Sequence, residues 1–228
     1  MLRVREVEAK SILNKSKIFD YCVNPYTGCQ VGCAYCYASL FIPRYSGHSE
    51  PWGTFVDVKT NAPELLRRQL RRAKLGTVWL SSVCDPYQPL EAKHRLTRLC
   101  LEALVESGFP VNIQSKSVLL LRDADLMAGI RELEAGFTIA TDDVRTARLC
   151  EPFASSPAER AKALRALRAR GSRKAGEARG PVSRKARPHR AHRARPEELP
   201  ALRLVGSGHV RNLVQPRHLG HPRPRLLP

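Results

Sequence analysis

Three thiols crowd the segment NPYTGCQVGCAYCYA (24–38): Cys29, Cys33 and Cys36 fall within eight positions. Thiolate is a soft ligand that selects zinc, copper(I) or iron-sulfur clusters. Structural zinc takes four protein ligands, commonly as two separated pairs, and no second Cys pair or close His completes such a set here. Cys22, seven residues upstream, is available as a fourth ligand. Its place in an extended run suits packing better, because a free Cys behaves as a small buried hydrophobe. A [4Fe-4S] cubane normally has a thiolate on each iron, so three from one tight loop leave one iron open to an exogenous ligand. Gly28 and Gly32 suit a backbone that must curl around such a group.

The elements that must position these thiols alternate in type. YCVNPY (21–26) reads as a short extended stretch leading into the cysteine loop, and TFVDVK (54–59) as a strand. Asn61 and Pro63 mark the start of a helix, APELLRRQLRRAK, with Leu65, Leu66 and Leu70 on one face. TVWLSSV (77–83) reads as a strand stopped by Asp85-Pro86, and RLTRLCLEALVESG (95–108) as an amphipathic helix closed by Gly108. PVNIQSKS (110–117) and FTIAT (137–141) read as further strands, with DADLMAGIRELE (123–134) as the helix between them. SPAERAKALRALRARG (156–171) follows as a helix with Ser156 at the N-cap, Pro157 at N1 and Gly171 past its end.

This alternation predicts an α/β chain of parallel βα units, either an open doubly wound sheet or a barrel. Ligand sites in both lie at the carboxyl ends of the strands, which is where the cysteine loop falls. Asn112, Gln114 and Lys116 share one face of the third strand of the series. A polar cavity inside a barrel accounts for them, and so does the solvated face of an edge strand.

Composition divides the chain. Residues 1–170 carry 25 basic against 18 acidic side chains, a net of +7, while residues 171–228 carry 14 against 3, a net of +11. The second part has no Phe, Tyr or Trp and holds eight of the 17 prolines, so it lacks the apolar content of a core. There is no apolar run long enough to span a membrane and no signal-peptide h-region, from which a cytoplasmic location is expected. Seven cysteines, an odd number, are not expected to form a disulfide framework in a reducing compartment.

CQVGCAYC, a C-x3-C-x2-C with an aromatic residue before the last Cys, resembles the signature of the radical S-adenosylmethionine (radical SAM) superfamily. The whole of NPYTGCQVGCAYCYA, Gly47-His48, Pro51-Trp52-Gly53, FVDVKTNAPELL, VWLSSVCDPYQPLE and Glu151-Pro152 before SPAER are similar to the branch related to spore photoproduct lyase, the radical DNA-repair enzymes. The resemblance runs from about residue 8 to 170.

That resemblance implies a set of roles. Cys29, Cys33 and Cys36 would ligate three irons of a [4Fe-4S] cluster, and the open iron would hold the amino and carboxylate groups of S-adenosylmethionine. Tyr35 would sit near the adenine, Ser82 and Asp85 near the methionine amino group, and Thr141 near the ribose. An electron from a flavodoxin- or ferredoxin-type donor would break the sulfonium bond, giving a 5'-deoxyadenosyl radical that abstracts hydrogen from a substrate, DNA by analogy. The lyases carry a hydrogen-donor cysteine in this strand region at the position of Ser82. Cys84, two residues on and on the same predicted strand face, is the candidate donor here. Plainer roles exist for each: Asp85 as a turn former, and Ser82 and Thr141 as partners for backbone groups.

The family core has six βα units forming a partial TIM-like barrel, and this sequence supplies four. The expected organisation is therefore residues 1–170 as the N-terminal part of a radical SAM core, and 171–228 as a basic Pro/Arg/His-rich tail. Three origins fit the tail: a disordered arm that binds nucleic acid, a solvated tail without a partner, or a shifted reading frame. The third is favoured, because the composition changes where the next strand should begin. The fourth strand would then be an unprotected edge. Two functions follow as expectations: a radical SAM enzyme of the lyase type, or a truncated, inactive cluster-binding protein associating nonspecifically with nucleic acid.

Overall fold

Four parallel strands form the frame that the alternation predicts, although not all over the residues it predicts. The computed structural model describes residues 1–171. In chain order the elements are β1 (Arg3–Val7), β2 (Leu13–Lys15), β3 (Tyr21–Val23), β4 (Tyr26–Thr27), α1 (Ile42–Ser46), β5 (Phe55–Lys59), α2 (Ala62–Leu70) and β6 (Val78–Leu80). There follow α3 (Glu91–His94), α4 (Leu96–Ser107), β7 (Val111–Ser115), α5 (Ala124–Met127), β8 (Leu133–Phe137), α6 (Val144–Cys150) and α7 (Pro157–Gly171). The main sheet has the order β2-β3-β6-β7-β8; β3, β6, β7 and β8 are mutually parallel and β2 runs antiparallel to β3.

The core lies on one face of this sheet. Tyr21, Val23, Val78, Leu80, Val111 and Ile113 project to it and pack against Leu65, Leu66 and Leu70 of α2 and Cys100, Leu101 and Leu104 of α4. Those helical positions recur every three or four residues, which gives each helix one apolar stripe. Burying a leucine of this kind contributes about 2 kcal/mol. On the opposite face, Cys22, Trp79, Asn112 and Glu134 stand in register across the four parallel strands. On this face Asn112 is buried and Gln114 is exposed. Asn112 and Gln114 therefore belong to an interior strand, between β6 and β8, and not to an edge strand, while Lys116 follows the strand's end.

A second sheet, β1-β5-β4, was not legible as a separate layer. The TFVDVK strand lies at its centre as β5, paired parallel to β1 and antiparallel to β4.

Several boundaries differ from the sequence reading: the extended stretch 21–26 divides into β3 and β4, and the helix expected over 62–74 ends at Leu70. The strand expected over 77–83 ends at Leu80, because Ser81 takes φ 66° and turns the chain out of the sheet. Consequently Ser82 and Cys84 do not share a strand face. The helix expected over 123–134 is confined to α5, entered through a 3-10 turn over Val118–Asp123. The last strand lies at Leu133–Phe137 instead of 137–141. Pairing decides this: Val111 faces Leu133 and Ser115 faces Phe137, so that Leu133, Ala135 and Phe137 reach the core, and that packing overrides the β-branched preference of FTIAT. Thr141 accordingly sits in the loop between β8 and α6, beyond the strand end.

The α7 expectation holds in detail at its start. Ser156 Oγ accepts from the Glu159 amide at 3.3 Å while Glu159 returns a bond to the Ser156 amide at 2.8 Å, a capping box. Among the described residues β8 has only β7 as a strand partner, so it is the sheet's edge. The basic tail reading and its frame-shift origin lie outside the described residues.

Candidate metal centre

The cysteine loop leaves β3 and β4 and folds over the carboxyl ends of β6 and β7. Its curl depends on two glycines. Gly28 has φ 85°, and a Cβ there would stand 2.4 Å from the Phe55 carbonyl oxygen of β5. Gly32 has φ 64° and lies against Gly53, itself at φ 93°, whose Cβ would come within 3.0 Å of the Gly32 Cα. This contact gives Pro51-Trp52-Gly53 a physical role: Gly53 permits close approach to the loop, and Trp52 packs on the Cys29–Val31–Cys33 cluster and edge-on to Phe55. His48 stacks on the other side of the Phe55 ring, with centroids 3.9 Å apart, and its Nε2 lies 3.1 Å from both carboxylate oxygens of Asp57.

Cys29 and Cys33 are buried and Cys36 is half-buried. Burial pushes the Cys29 thiol well up and Cys33 to about 12. Backbone bonds hold the loop tight: Gly32 donates to the Cys29 carbonyl at 3.2 Å and Cys36 to the Cys33 carbonyl at 3.1 Å. The Asp85 amide donates to Cys29 Sγ at 3.3 Å. Hydrogen bonds to sulfur and burial in apolar surroundings are the levers that tune an iron-sulfur centre. Among the described residues no three His, Cys, Asp or Glu side chains converge on a single-ion site. A cubane does not require that convergence, since it places each thiolate on a different iron. The donor set, its shared loop and its sheltered position fit such a cluster.

The other expected site residues are distributed around this loop. Asp85 is buried, and its carboxylate accepts from Tyr87 N at 2.9 Å, Ser115 Oγ at 2.7 Å and Lys116 N at 2.7 Å. It thus fastens the end of β7 to the cysteine loop through its own amide and side chain. Ser82 Oγ accepts from Asn24 Nδ2 at 3.1 Å, and its carbonyl accepts from the Tyr37 hydroxyl. Cys84 wedges between the cysteine cluster and the Tyr26–Val58 cluster, donating from Sγ to the Tyr26 carbonyl at 3.7 Å. Burial raises its thiol to about 12. Thr141 is buried, and its Oγ1 accepts from the Asp143 amide at 3.1 Å.

Tyr35 exposes its ring and donates its hydroxyl to Glu151. Lys116 Nζ stands 5.9 Å from the centre of that ring. Glu151 in turn pairs with Arg160 of α7 at 2.5 Å, with both side chains 1% exposed, and Arg160 donates to the Thr138 carbonyl just past β8 at 2.7 Å. Together with the Ala34 amide bonded to the Cys150 carbonyl at 2.9 Å, these contacts strap the cysteine loop to the last strand and helix. Sequence reasoning missed this strap, though a signal existed. Arg160 lies three and seven positions before the inward-facing Ala163 and Leu167, a charge in an apolar stripe.

The sequence profile of the radical SAM superfamily matches residues 23–178. An uncharacterized protein of Methanocaldococcus jannaschii is 34% identical over 166 residues, covering 72% of this chain and 62% of that protein. An uncharacterized protein of Mycobacterium tuberculosis is 39% identical over 134 residues, covering 54% of this chain and 38% of its own length. Spore photoproduct lyase complexed with dinucleoside spore photoproduct has the same fold, with TM-score 0.54 at 17% identity, over 74% of this chain and 48% of the lyase. The chain thus spans roughly two fifths to three fifths of the relatives it matches.

Proposed function

The chain belongs to the radical SAM superfamily, and we propose from that premise that residues 1–170 are the N-terminal part of a core that cleaves S-adenosylmethionine reductively. The superfamily's cofactors are a [4Fe-4S] cluster and S-adenosylmethionine, and a spore photoproduct lyase variant of this fold has S-adenosylmethionine bound. Together they supply a 5'-deoxyadenosyl radical for hydrogen abstraction. The observation that carries the reading is the loop itself: three sheltered thiols, with a backbone amide on one sulfur, at the carboxyl ends of the parallel strands.

The roles proposed for this chain's residues follow. Cys29, Cys33 and Cys36 hold three irons. Tyr35, oriented by Glu151, lies along the adenine, and Lys116 beside it adds positive charge. Asp85 and Ser82 border the methionine amino group, and Thr141 the ribose; Asp85 already accepts three bonds, so it acts there by fixing the wall. Cys84 is the proposed hydrogen donor, supported by its packing against the cluster cysteines. A flavodoxin- or ferredoxin-type protein delivers the electron. DNA is the proposed substrate, on the analogy of the lyase fold, and the reducing cytoplasm the proposed location. Among the described residues no helix is long and apolar enough to cross a membrane.

A second reading rests on β8 having, among the described residues, only β7 as a strand partner, and on the exposed Gln114 on the polar face of the sheet. With that face open to solvent, water and alternative hydrogen donors would reach the site, and the chain would hold a cluster without productive chemistry. Anaerobic reconstitution with iron and sulfide, reduction, and chromatography for 5'-deoxyadenosine separate the two. Formation of 5'-deoxyadenosine supports the enzyme; a cluster without it supports the inactive binder. Tight zinc without iron-sulfur absorbance contradicts both.

A further inference from the structure

At the pole opposite the cysteine loop, where β3 and β6 begin, the surface holds a groove of about 840 Å3. One wall is the β2 strand, and the other is the exit of α2. Lys15, Arg68, Arg71, Arg72 and Lys74 line it, all five are exposed, and no acidic side chain does. Arg68 stands on the last turn of α2, exposed while Leu65, Leu66 and Leu70 are buried, and Arg71 and Arg72 follow directly past the helix end at Leu70. Among the described residues none of the five forms an ion pair. The neighbouring Arg67 does, with Glu106 at 3.2 Å.

The walls are fixed to each other. Gln69 Oε1 of α2 accepts from the amides of Ile12 and Leu13 at 3.0 and 2.8 Å, and the Tyr21 hydroxyl donates to the Lys74 carbonyl at 3.0 Å. Lys15 Nζ lies 4.2 Å above the Tyr21 ring. Basic residues at a helix end are ordinary, because they complement the helix dipole. That explains Arg71 and Arg72 but not Lys15, which comes from a separate strand and adds to the same positive surface. Like charges lining one groove repel, and among the described residues no ion pair offsets these five.

We propose that this groove binds the phosphodiester backbone of a nucleic acid strand as a docking site remote from the chemistry. Guanidinium forks match phosphate geometry, and neutralising several phosphates gains from counterion release. A concave surface admits a strand, whereas a flat lipid headgroup layer contacts only its rim. The site needs neither cluster nor S-adenosylmethionine, so it stands or falls apart from the reading above.

The test uses the full chain and its variant carrying Lys15→Ala, Arg68→Ala, Arg71→Ala, Arg72→Ala and Lys74→Ala. Labelled single-stranded DNA, duplex DNA and RNA are titrated over a range of potassium chloride, with anionic phospholipid vesicles as a further arm. Each lost phosphate contact removes about 0.7–0.9 from the slope of log affinity against log salt, so the variant is expected to lose several units of slope and at least about tenfold in affinity at low salt. A variant with Arg68, Arg71 and Arg72 changed to Lys keeps the charge and is expected to keep most of the slope. The arms distinguish DNA from RNA and single strands from duplex. Equal affinity and slope for the wild type and the five-fold variant overturn the proposal, because other basic residues then do the binding. Loss of vesicle binding alone, with nucleic acid unaffected, overturns it as well.

Discussion

Cys29 and Cys33 are buried thiols whose neighbours are Val31, Trp52 and Ala154, and Cys36 closes the same loop. Replacing any of the three by Ala is expected to lower the iron bound after reconstitution and the iron-sulfur absorbance, measured by iron analysis and visible spectroscopy. Iron retention equal to wild type in all three variants would remove the assignment. The Glu151–Arg160 pair makes a sharper stability prediction. Glu151→Gln leaves the Arg160 guanidinium buried without its carboxylate, a loss of about 3–5 kcal/mol. Tyr35→Phe deletes one hydrogen bond from a ring that is otherwise exposed, about 1 kcal/mol. Urea unfolding of the two variants checks the order, and equal losses would mean that the strap holds through Tyr35 and not through Arg160. Cys84→Ala is expected to change the product distribution of an active preparation while leaving cluster content intact. An unchanged distribution ends the donor role.

Elements were legible where one force dominated and illegible where two competed. The α4 helix shows one apolar stripe and a Gly at its end, and α7 carries its capping box in plain sequence, so both were found nearly as they stand. The cysteine loop was legible because residue type and spacing there are set by chemistry. β8 was misplaced by four residues because β-branched FTIAT looked more strand-like than LEAGF, while pairing with β7 decided otherwise. The Ser81 turn and the separate β1-β5-β4 sheet left no periodic trace. Gly28 of the cysteine loop and Gly47 at the end of α1 give a test at this scale. Gly28→Ala meets both a positive φ and a backbone oxygen at 2.4 Å, so a loss of about 2–4 kcal/mol is expected. Gly47→Ala shares the positive φ but meets nothing within 4 Å, so it should cost about 1 kcal/mol. Thermal or urea unfolding distinguishes them, and similar losses would show that φ alone, and not the close Phe55 oxygen, sets the cost at Gly28. Among the described residues β8 pairs only with β7, so its amide hydrogens should also exchange faster than those of β6, which is paired on both sides.

At the scale of the molecule, one pole carries thiols at strand ends and the other a rigid basic groove, separated by a sheet whose apolar face packs on α2 and α4. The sequence profile of the superfamily extends over residues 23–178, which include the proposed cluster loop, and the fold match covers 48% of the lyase. That loop is testable without any substrate. The reduced, reconstituted protein is examined by electron paramagnetic resonance before and after adding S-adenosylmethionine. Three protein thiolates on a four-iron cluster leave one iron for the methionine groups, so the spectrum is predicted to shift on addition and to be unaffected by methionine-free adenosine. A four-iron spectrum that S-adenosylmethionine leaves unchanged, or a centre in which every iron already has a protein ligand, would contradict the account.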